Sequence, residues 1–340
     1  MCFFNRGRKI NLSVIHLDRN EYFFDHHPKI REIFLNFNIL DISCYATFTE
    51  QENLTFEIAK IFNLENLSKV TLFHGAEDAL IKILSWFRKS YNLIIMEDFC
   101  WNNYEYICNS FEYKIEKVTN VNRDKEVTLD LKFLQSSLIK KTPCLVLLTL
   151  PNNPTGHLIP IMQLKEIIIA FPQHVFILDI VYSDMFCNKF LQICSLENVI
   201  IIGSFSKLFG LPGLRVGYAV GMLPEAFKLK LGIQKQNILA CLRALNYKEY
   251  YLQQRKQMLE YAMHLTLMPL IHLAIYRTSA PFILIEIKDT DINQSIFSEI
   301  EFLSGVKPKY FVHAGKNFMR FSLGPYSIFK KIEKYLKYIG

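Results

Sequence analysis

The run Ser204-Phe-Ser-Lys-Leu-Phe-Gly-Leu-Pro-Gly-Leu-Arg-Val-Gly-Tyr218 decides how the rest of this chain is read. It follows Val199-Ile-Ile-Ile-Gly203, an apolar stretch with the length and branching of a buried strand. A lysine at the end of such a strand is costly to keep unless its amine has a task. Lys207 stands between two small hydroxyls, Ser204 and Ser206, and a glycine-rich turn that carries Arg215.

A lysine amine can form a Schiff base with a carbonyl cofactor. An arginine offers a fork of donors that suits a phosphate. Two hydroxyls, an amine and a guanidinium on one turn describe a seat for pyridoxal phosphate. The alternative is a surface loop with an ordinary lysine and arginine. The pattern Ser-Lys-x-Phe-Gly-Leu-x-Gly-Leu-Arg-x-Gly-Tyr resembles the cofactor-lysine motif of fold-type I pyridoxal-phosphate-dependent aminotransferases of class I/II. It is nearest to their histidinol-phosphate aminotransferase-like branch. Further pieces of that pattern follow in family order from Asn20 to Gly324.

The 340 residues are 51% hydrophobic and 21% charged, which suits a globular enzyme with one large and one small domain. Apolar runs such as 144–150 are too short to span a bilayer. The start, Met1-Cys-Phe-Phe-Asn-Arg6, has no long apolar stretch, so a secretory signal is not expected. Eight cysteines without a Cys-x-x-Cys pair read as free thiols in a reducing cytoplasm. Only His26 and His27 cluster, and no metal-site spacing is completed, so no metal is expected. The net charge of +7 is dispersed, with close groups only at 6–9 and 228–235. No nucleic-acid or membrane partner is expected from it.

Taken in order, Leu17-Asp-Arg-Asn-Glu-Tyr-Phe-Phe24 resembles the family's Leu-x-x-Asn-Glu segment across the active-site mouth, which places Asn20 near substrate. The family follows with Asn-Pro-Tyr, and Tyr22-Phe-Phe24 stands here instead. An aromatic clamp between domains is the other reading. Tyr45 sits where the family has Arg-Tyr-Pro, whose tyrosine reaches the cofactor phosphate of the neighbouring subunit; a buried core tyrosine is the rival. Residues 53–64 read as an amphipathic helix. The strand 70–73 leads to Gly75-Ala-Glu-Asp78, a turn opening a helix. Free amides there, at Ala76 and Glu77, bind phosphate, and Gly75 lets the backbone approach.

In Phe99-Cys-Trp-Asn-Asn-Tyr104, Trp101 takes the family position that lies flat on the cofactor ring, against the alternative of a core tryptophan. Pro151-Asn-Asn-Pro-Thr-Gly156 matches a six-residue motif in which Asn153 hydrogen-bonds the cofactor's phenolic oxygen. Asp179 closes the strand 175–178. The resemblance pairs it with the protonated ring nitrogen and makes Tyr182 a second donor to the phenolic oxygen; a helix-capping aspartate is the alternative. Residues 223–230 read as the start of a helical link, and 239–267 as one helix. The strand 281–287 and a helix over 291–303 come next. Arg320-Phe-Ser-Leu-Gly324 resembles the family strand whose arginine binds the substrate carboxylate; a structural strand arginine is the alternative. Gly305-Val-Lys-Pro-Lys309 stands where many histidinol-phosphate members carry another arginine for the substrate's phosphate.

Strands alternating with helices from 70 to 220 imply an α/β fold with a mostly parallel sheet sandwiched by helices. The resemblance adds a large cofactor-binding domain at 30–225 and a smaller α+β domain from 1–29 and 226–340, with an interdomain helix. It implies a homodimer with shared sites. The expected reaction moves an amino group between an amino acid or amino alcohol phosphate and a 2-oxo acid through a Lys207 Schiff base. Lys207, Asp179 and Tyr182 are its catalytic residues. Gly75, Ala76, Glu77, Trp101, Asn153, Ser204, Ser206, Arg215 and a neighbour's Tyr45 also hold the cofactor. Arg320, Asn153 and Asn20 meet the substrate. A decarboxylase of the threonine-phosphate type shares all these motifs. A cofactor-binding regulatory module and a degenerate non-catalytic dimer are the other readings.

Overall fold

A computed structural model of the protein describes residues 14–36, 38, 43–123, 125–228, 232–288 and 294–339. The start at 1–6, part of the two basic groups and residues 291–293 of the last expected helix lie outside them.

The chain builds a seven-stranded sheet in the order Val70–Phe73, Gly217–Val220, Val199–Ser204, Val175–Asp179, Leu145–Thr149, Leu93–Glu97, Lys114–Val118. Only Gly217–Val220 runs antiparallel to its neighbours. Successive side chains of a strand point to opposite faces, and both faces here are dry. Ile94, Met96, Leu145, Leu147, Ile177 and Ile200 pack with the helices Ala76–Phe87 and Asn102–Ser110. Ile95, Val146, Leu148, Phe176, Leu178 and Ile201 join a second cluster with Leu54, Leu134, Leu164 and Ile238, from helices on the other side. That double covering is why these strands read as unbroken apolar runs rather than alternating ones.

A second sheet of four antiparallel strands follows the order Leu273–Ile275, Phe282–Ile287, Lys316–Ser322, Lys309–His313. Its core gathers Ile283, Ile285, Met319 and Phe321 with Met258, Ile332 and Leu336. Leu17 is fully buried in the same core, and Ile15–His16 pairs in parallel with Val306–Lys307. The N-terminal segment is thus built into the C-terminal third.

Several element boundaries differ from expectation. The helix expected at 53–64 is Phe48–Ile61, started early by a reciprocal cap in which Thr47 and Glu50 satisfy each other's amides. Of the link expected as helix over 223–230, residues 229–230 lie outside the described residues; the described part holds a 3₁₀ turn, Glu225–Phe227, and the next described helix is Lys235–Asn246. The helix expected over 239–267 is broken at Tyr247, where φ −111° and ψ 32° end one helix, and Lys248–Thr266 begins another. The last expected helix is Gln294–Ser304.

Candidate active site

The C-terminal ends of the parallel strands open onto a cleft of about 490 Å³. This is where open α/β sheets bind ligands. The cleft is lined by Asn20, Ala76, Glu77, Trp101, Asn153, Asp179, Tyr182, Ser204, Ser206, Lys207, Arg215 and Arg320. Residues separated by up to three hundred positions in sequence therefore face one space. Tyr45 does not. It is 71% exposed and outside the cleft, so it is no core tyrosine.

At one end of the cleft, the Ala76–Phe87 helix begins at Gly75 with no side-chain cap. The first amides of a helix have no partner within it, so they are available to an anion. Gly75 has φ +93°, and a Cβ there would lie 2.7 Å from Arg215 Nη2. The missing side chain is what lets the guanidinium lie against the helix start. Gly217 is needed for the same reason: its Cβ would come within 2.7 Å of the Ala76 nitrogen. Arg215 itself holds a left-handed backbone, φ 54°. For a non-glycine residue this costs about 1–2 kcal/mol and recurs at binding sites. Ser204 Oγ and Ser206 Oγ are 2.8 Å apart beside it. Amides, a guanidinium and two hydroxyls make a cradle for a phosphate.

In the middle of the cleft, Asp179 is buried. The Tyr104 hydroxyl donates to its Oδ2 at 2.6 Å and the Val181 amide to its Oδ1 at 2.9 Å. Burial pushes its carboxyl up to about 6, against the pull of those two donors and the Lys207 charge. No helix starts at Asp179, so it is not a helix cap. Thr149 donates to the Tyr104 oxygen at 2.9 Å, fixing that ring. Trp101 is half-buried at the start of the Asn102–Ser110 helix, edge-on to Tyr104 at 5.2 Å. It forms a wall of the cleft.

Across from it, Tyr182 accepts from Asn20 Nδ2 at 3.1 Å and from Asn153 Nδ2 at 3.2 Å. With both lone pairs used, the hydroxyl hydrogen is the one left to donate. Asn153 Oδ1 faces Arg320, which only donates, so the amide nitrogen is turned inward. Lys207 Nζ donates to the carbonyls of Asn20 at 2.9 Å and Arg19 at 3.2 Å.

Arg320 is 7% exposed. It donates to Asn153 Oδ1 and, at 2.7 Å, to the Asp18 carbonyl. Its Nε has no partner among the described residues. A buried guanidinium with a donor unspent is able to take one more acceptor. Asn20, at φ 53°, is tied down by Ser322, whose hydroxyl oxygen accepts from its amide at 2.9 Å. Tyr22 packs on Gly210 of the lysine turn, stacks with His26 at 5.0 Å and bonds Gln254. The same segment thus lines the cleft through Asn20 and packs aromatic rings on the lysine turn through Tyr22.

Thr149 carries no signal in the sequence reading; it acts on Asp179 through Tyr104, the second ring of the 99–104 segment. Arg19, Lys309 and Phe311 also line the space, and Lys309 stands opposite Arg320 in the strand register. Lys307 does not; it pairs with Glu301 at 3.3 Å. The residues present fit pyridoxal phosphate in shape and in donor set: an anion cradle, a flat wall, a buried carboxylate and an amine.

The histidinol-phosphate aminotransferase of Methanocaldococcus jannaschii is 24% identical to this chain over an alignment of 344 positions that covers 96% of this chain and 88% of that protein. A structure of histidinol-phosphate aminotransferase from Sinorhizobium meliloti in complex with pyridoxal-5'-phosphate superposes with a TM-score of 0.75 at 18% identity, covering 96% of this chain and 89% of that one. The L-threonine-O-3-phosphate decarboxylase of Porphyromonas gingivalis does so at 0.74 and 16%, covering 96% and 99%. Both structures are similar to this chain in fold. The family model for aminotransferase class I and II matches residues 13–264. That span takes in the cleft from Asn20 through the lysine turn to Arg215, and the chain belongs to the class I and II aminotransferase family.

Proposed function

We propose that this aminotransferase uses pyridoxal 5'-phosphate to move an amino group between an α-amino acid or amino alcohol phosphate and a 2-oxo acid, with Lys207 as the amine that attaches the cofactor. What carries this reading is the convergence of Lys207, Asp179, Asn153, Tyr182 and Arg320 on one cleft. When bound, the cofactor supplies an electron sink for the bond broken at the substrate's α-carbon.

The chain's own groups do the rest. Arg215, Ser204, Ser206 and the amides of Ala76 and Glu77 hold the phosphate. Asp179, as a carboxylate, balances a positive ring nitrogen. Asn153 and Tyr182 donate to the phenolic oxygen, and Trp101 covers one face of the ring. Arg320 holds the substrate carboxylate and so sets which α-bond faces Lys207. The Lys207 amine, freed from attachment, takes a proton at the α-carbon. The strap 18–20 closes the mouth against water. The large domain would span 30–225, with 1–29 and 226–340 in the smaller one, although the cluster on the Leu54 face of the large sheet continues through Ile238 and Cys241 to Tyr251.

A homodimer belongs to this reading. Exposed Tyr45 and, three residues on, Phe48, which is 72% exposed, fit a surface covered by a second copy. No described helix is long and apolar enough to cross a membrane. A decarboxylase acting on a phosphorylated amino acid is the second reading, favoured by Lys309, a cation at the cleft beside Arg320. An amino-donor screen with both keto-product and carbon dioxide measured separates them. Product from neither route with any donor, in protein loaded with cofactor, would overturn both.

A further inference from the structure

Beneath the Asn153 turn lies a buried polar network that the mechanism above does not use. Glu97 ends the Leu93–Glu97 strand and is 1% exposed, as is His157; Asn152 and Thr155 are fully buried. Glu97 Oε2 lies 3.2 Å from His157 Nε2. His157 Nδ1 lies 2.7 Å from Thr155 Oγ1, which lies 2.9 Å from Asn152 Oδ1. Asn120 Nδ2 donates to Glu97 Oε2 at 2.9 Å, and the same amide's oxygen accepts from the Phe99 nitrogen at 2.9 Å. The turn closes on itself through Asn152 N to His157 O, at 2.9 Å, and Gly156 N to Asn152 O, at 2.8 Å. Asn153 sits inside that loop. Phe99 opens the segment that carries Trp101. Two walls of the cleft therefore rest on one anchor.

The hydrogens can be counted. Asn152 Oδ1 faces the Thr155 amide at 3.3 Å, and an amide N–H only donates, so this atom is the oxygen. The Thr155 hydroxyl must then donate to it. Having spent its hydrogen, the Thr155 oxygen can only accept from His157, so Nδ1 carries a proton. A neutral imidazole protonated there presents a bare Nε2 lone pair to Glu97. As the two side chains stand, His157 Nε2 has no hydrogen-bond partner among the described residues; a hydrogen bond across the 3.2 Å gap needs one more proton, and burial decides where it sits. Burial pushes His157 down to about 4 and Glu97 up to about 7, the latter opposed by the amides of Asn120 and Asn152. The other titratable group beside Glu97 is Cys100, a thiol held neutral by burial. An imidazolium facing a carboxylate at this depth would carry two desolvation penalties. An acid facing a neutral imidazole carries none.

We propose that Glu97 and His157 are a positioning pair, joined by one proton held on Glu97, that aims Asn153 and the Trp101 segment at the cofactor. The proposal rests on the function proposed above, and its tests separate the two. The first needs no cofactor and no variant. Nitrogen-15 NMR of the histidine ring in the unaltered protein at pH 6 is expected to show His157 neutral with the proton on Nδ1. An imidazolium, or the other tautomer, overturns the assignment.

The second test uses cofactor-loaded protein and the pH titration of the bound cofactor's absorbance. Glu97→Leu removes the anchor. With the Asn153 donor misdirected, the phenolic oxygen holds its proton more tightly. The midpoint is expected to rise by about half to one pH unit, the size of one ordinary hydrogen bond. Glu97→Gln keeps the length of the side chain, but Oε2 alone accepts from Asn120 and meets His157 Nε2, and a glutamine atom there can do only one of the two, so a smaller rise than with leucine is expected. An unmoved midpoint in folded, loaded Glu97→Leu overturns the positioning role. A protein that never takes up the cofactor sinks the proposed function, while the NMR result still decides the state of the pair.

Discussion

The Tyr104 hydroxyl, 2.6 Å from Asp179 Oδ2, bonds a carboxyl that burial holds near 6 in the cofactor-free protein. Its proton is therefore bound well above the usual carboxylate range, and the sign of the linkage follows. In the cofactor-free chain the group's contribution to stability is full below its ordinary value near 4 and is lost as pH rises through about 6. A positive ring nitrogen needs the opposite state, the bare carboxylate. Cofactor binding is expected to weaken by up to about tenfold per pH unit below 6. Fluorescence titration of the cofactor across that range checks it. Asp179→Asn should remove this component of the slope and largely abolish turnover, with the phosphate contacts intact. A slope that survives the substitution unchanged places its origin elsewhere.

Lys207 is expected to be the attachment point. Borohydride treatment of the loaded protein should fix the cofactor's mass onto the peptide containing Lys207, and Lys207→Ala should leave nothing fixed. Mass spectrometry after digestion checks both. Label on another lysine contradicts the assignment.

Gly75→Ala tests the anion cradle. The new methyl would meet the Arg215 guanidinium at 2.7 Å, in a backbone at φ +93° that costs about 1–3 kcal/mol for other residues. Affinity for pyridoxal phosphate should fall about tenfold or more, since 1.4 kcal/mol is a factor of ten. Affinity for pyridoxal without its phosphate should change far less. Equal losses for the two would point to general damage to the sheet edge.

Arg320→Lys keeps a charge but loses the planar fork. Charge-assisted bonds of this kind contribute about 1.5–3 kcal/mol each, so kcat/KM for α-carboxylate substrates should fall by about tenfold or more. The cofactor's spectrum should stay as it was. If a phosphorylated amino alcohol is spared, Arg320 reads carboxylate, and Lys309 is the cation left for the phosphate.

The strands were legible because a sheet covered on both faces is written as contiguous apolar runs, as at 145–149 and 199–204. The lysine turn and the Asn153 turn were legible because each is a compact stretch whose chemistry is local. What escaped was of two kinds. Thr47 and Glu50 spelled out a helix start that the apolar periodicity from 53 onward overrode. The other kind is long-range. Tyr104 meets Asp179 across 75 positions and Arg320 meets the Asp18 carbonyl across 302. Nothing in the local pattern of either residue encodes such a partner. The break at Tyr247 is similar, since helical periodicity runs through it and only packing ends the turn.

The pairing of Ile15–His16 with Val306–Lys307 also orders events in time. The segment bearing Arg19 and Asn20 leaves the ribosome well before its strand partner at 306–307 is made. Domains fold as their residues emerge, so the sheet that carries Lys207 can form while this strap still has nowhere to dock. The mouth of the cleft is completed only after residue 306 emerges, and a chain arrested before it would hold the lysine turn without the carbonyls that receive its amine.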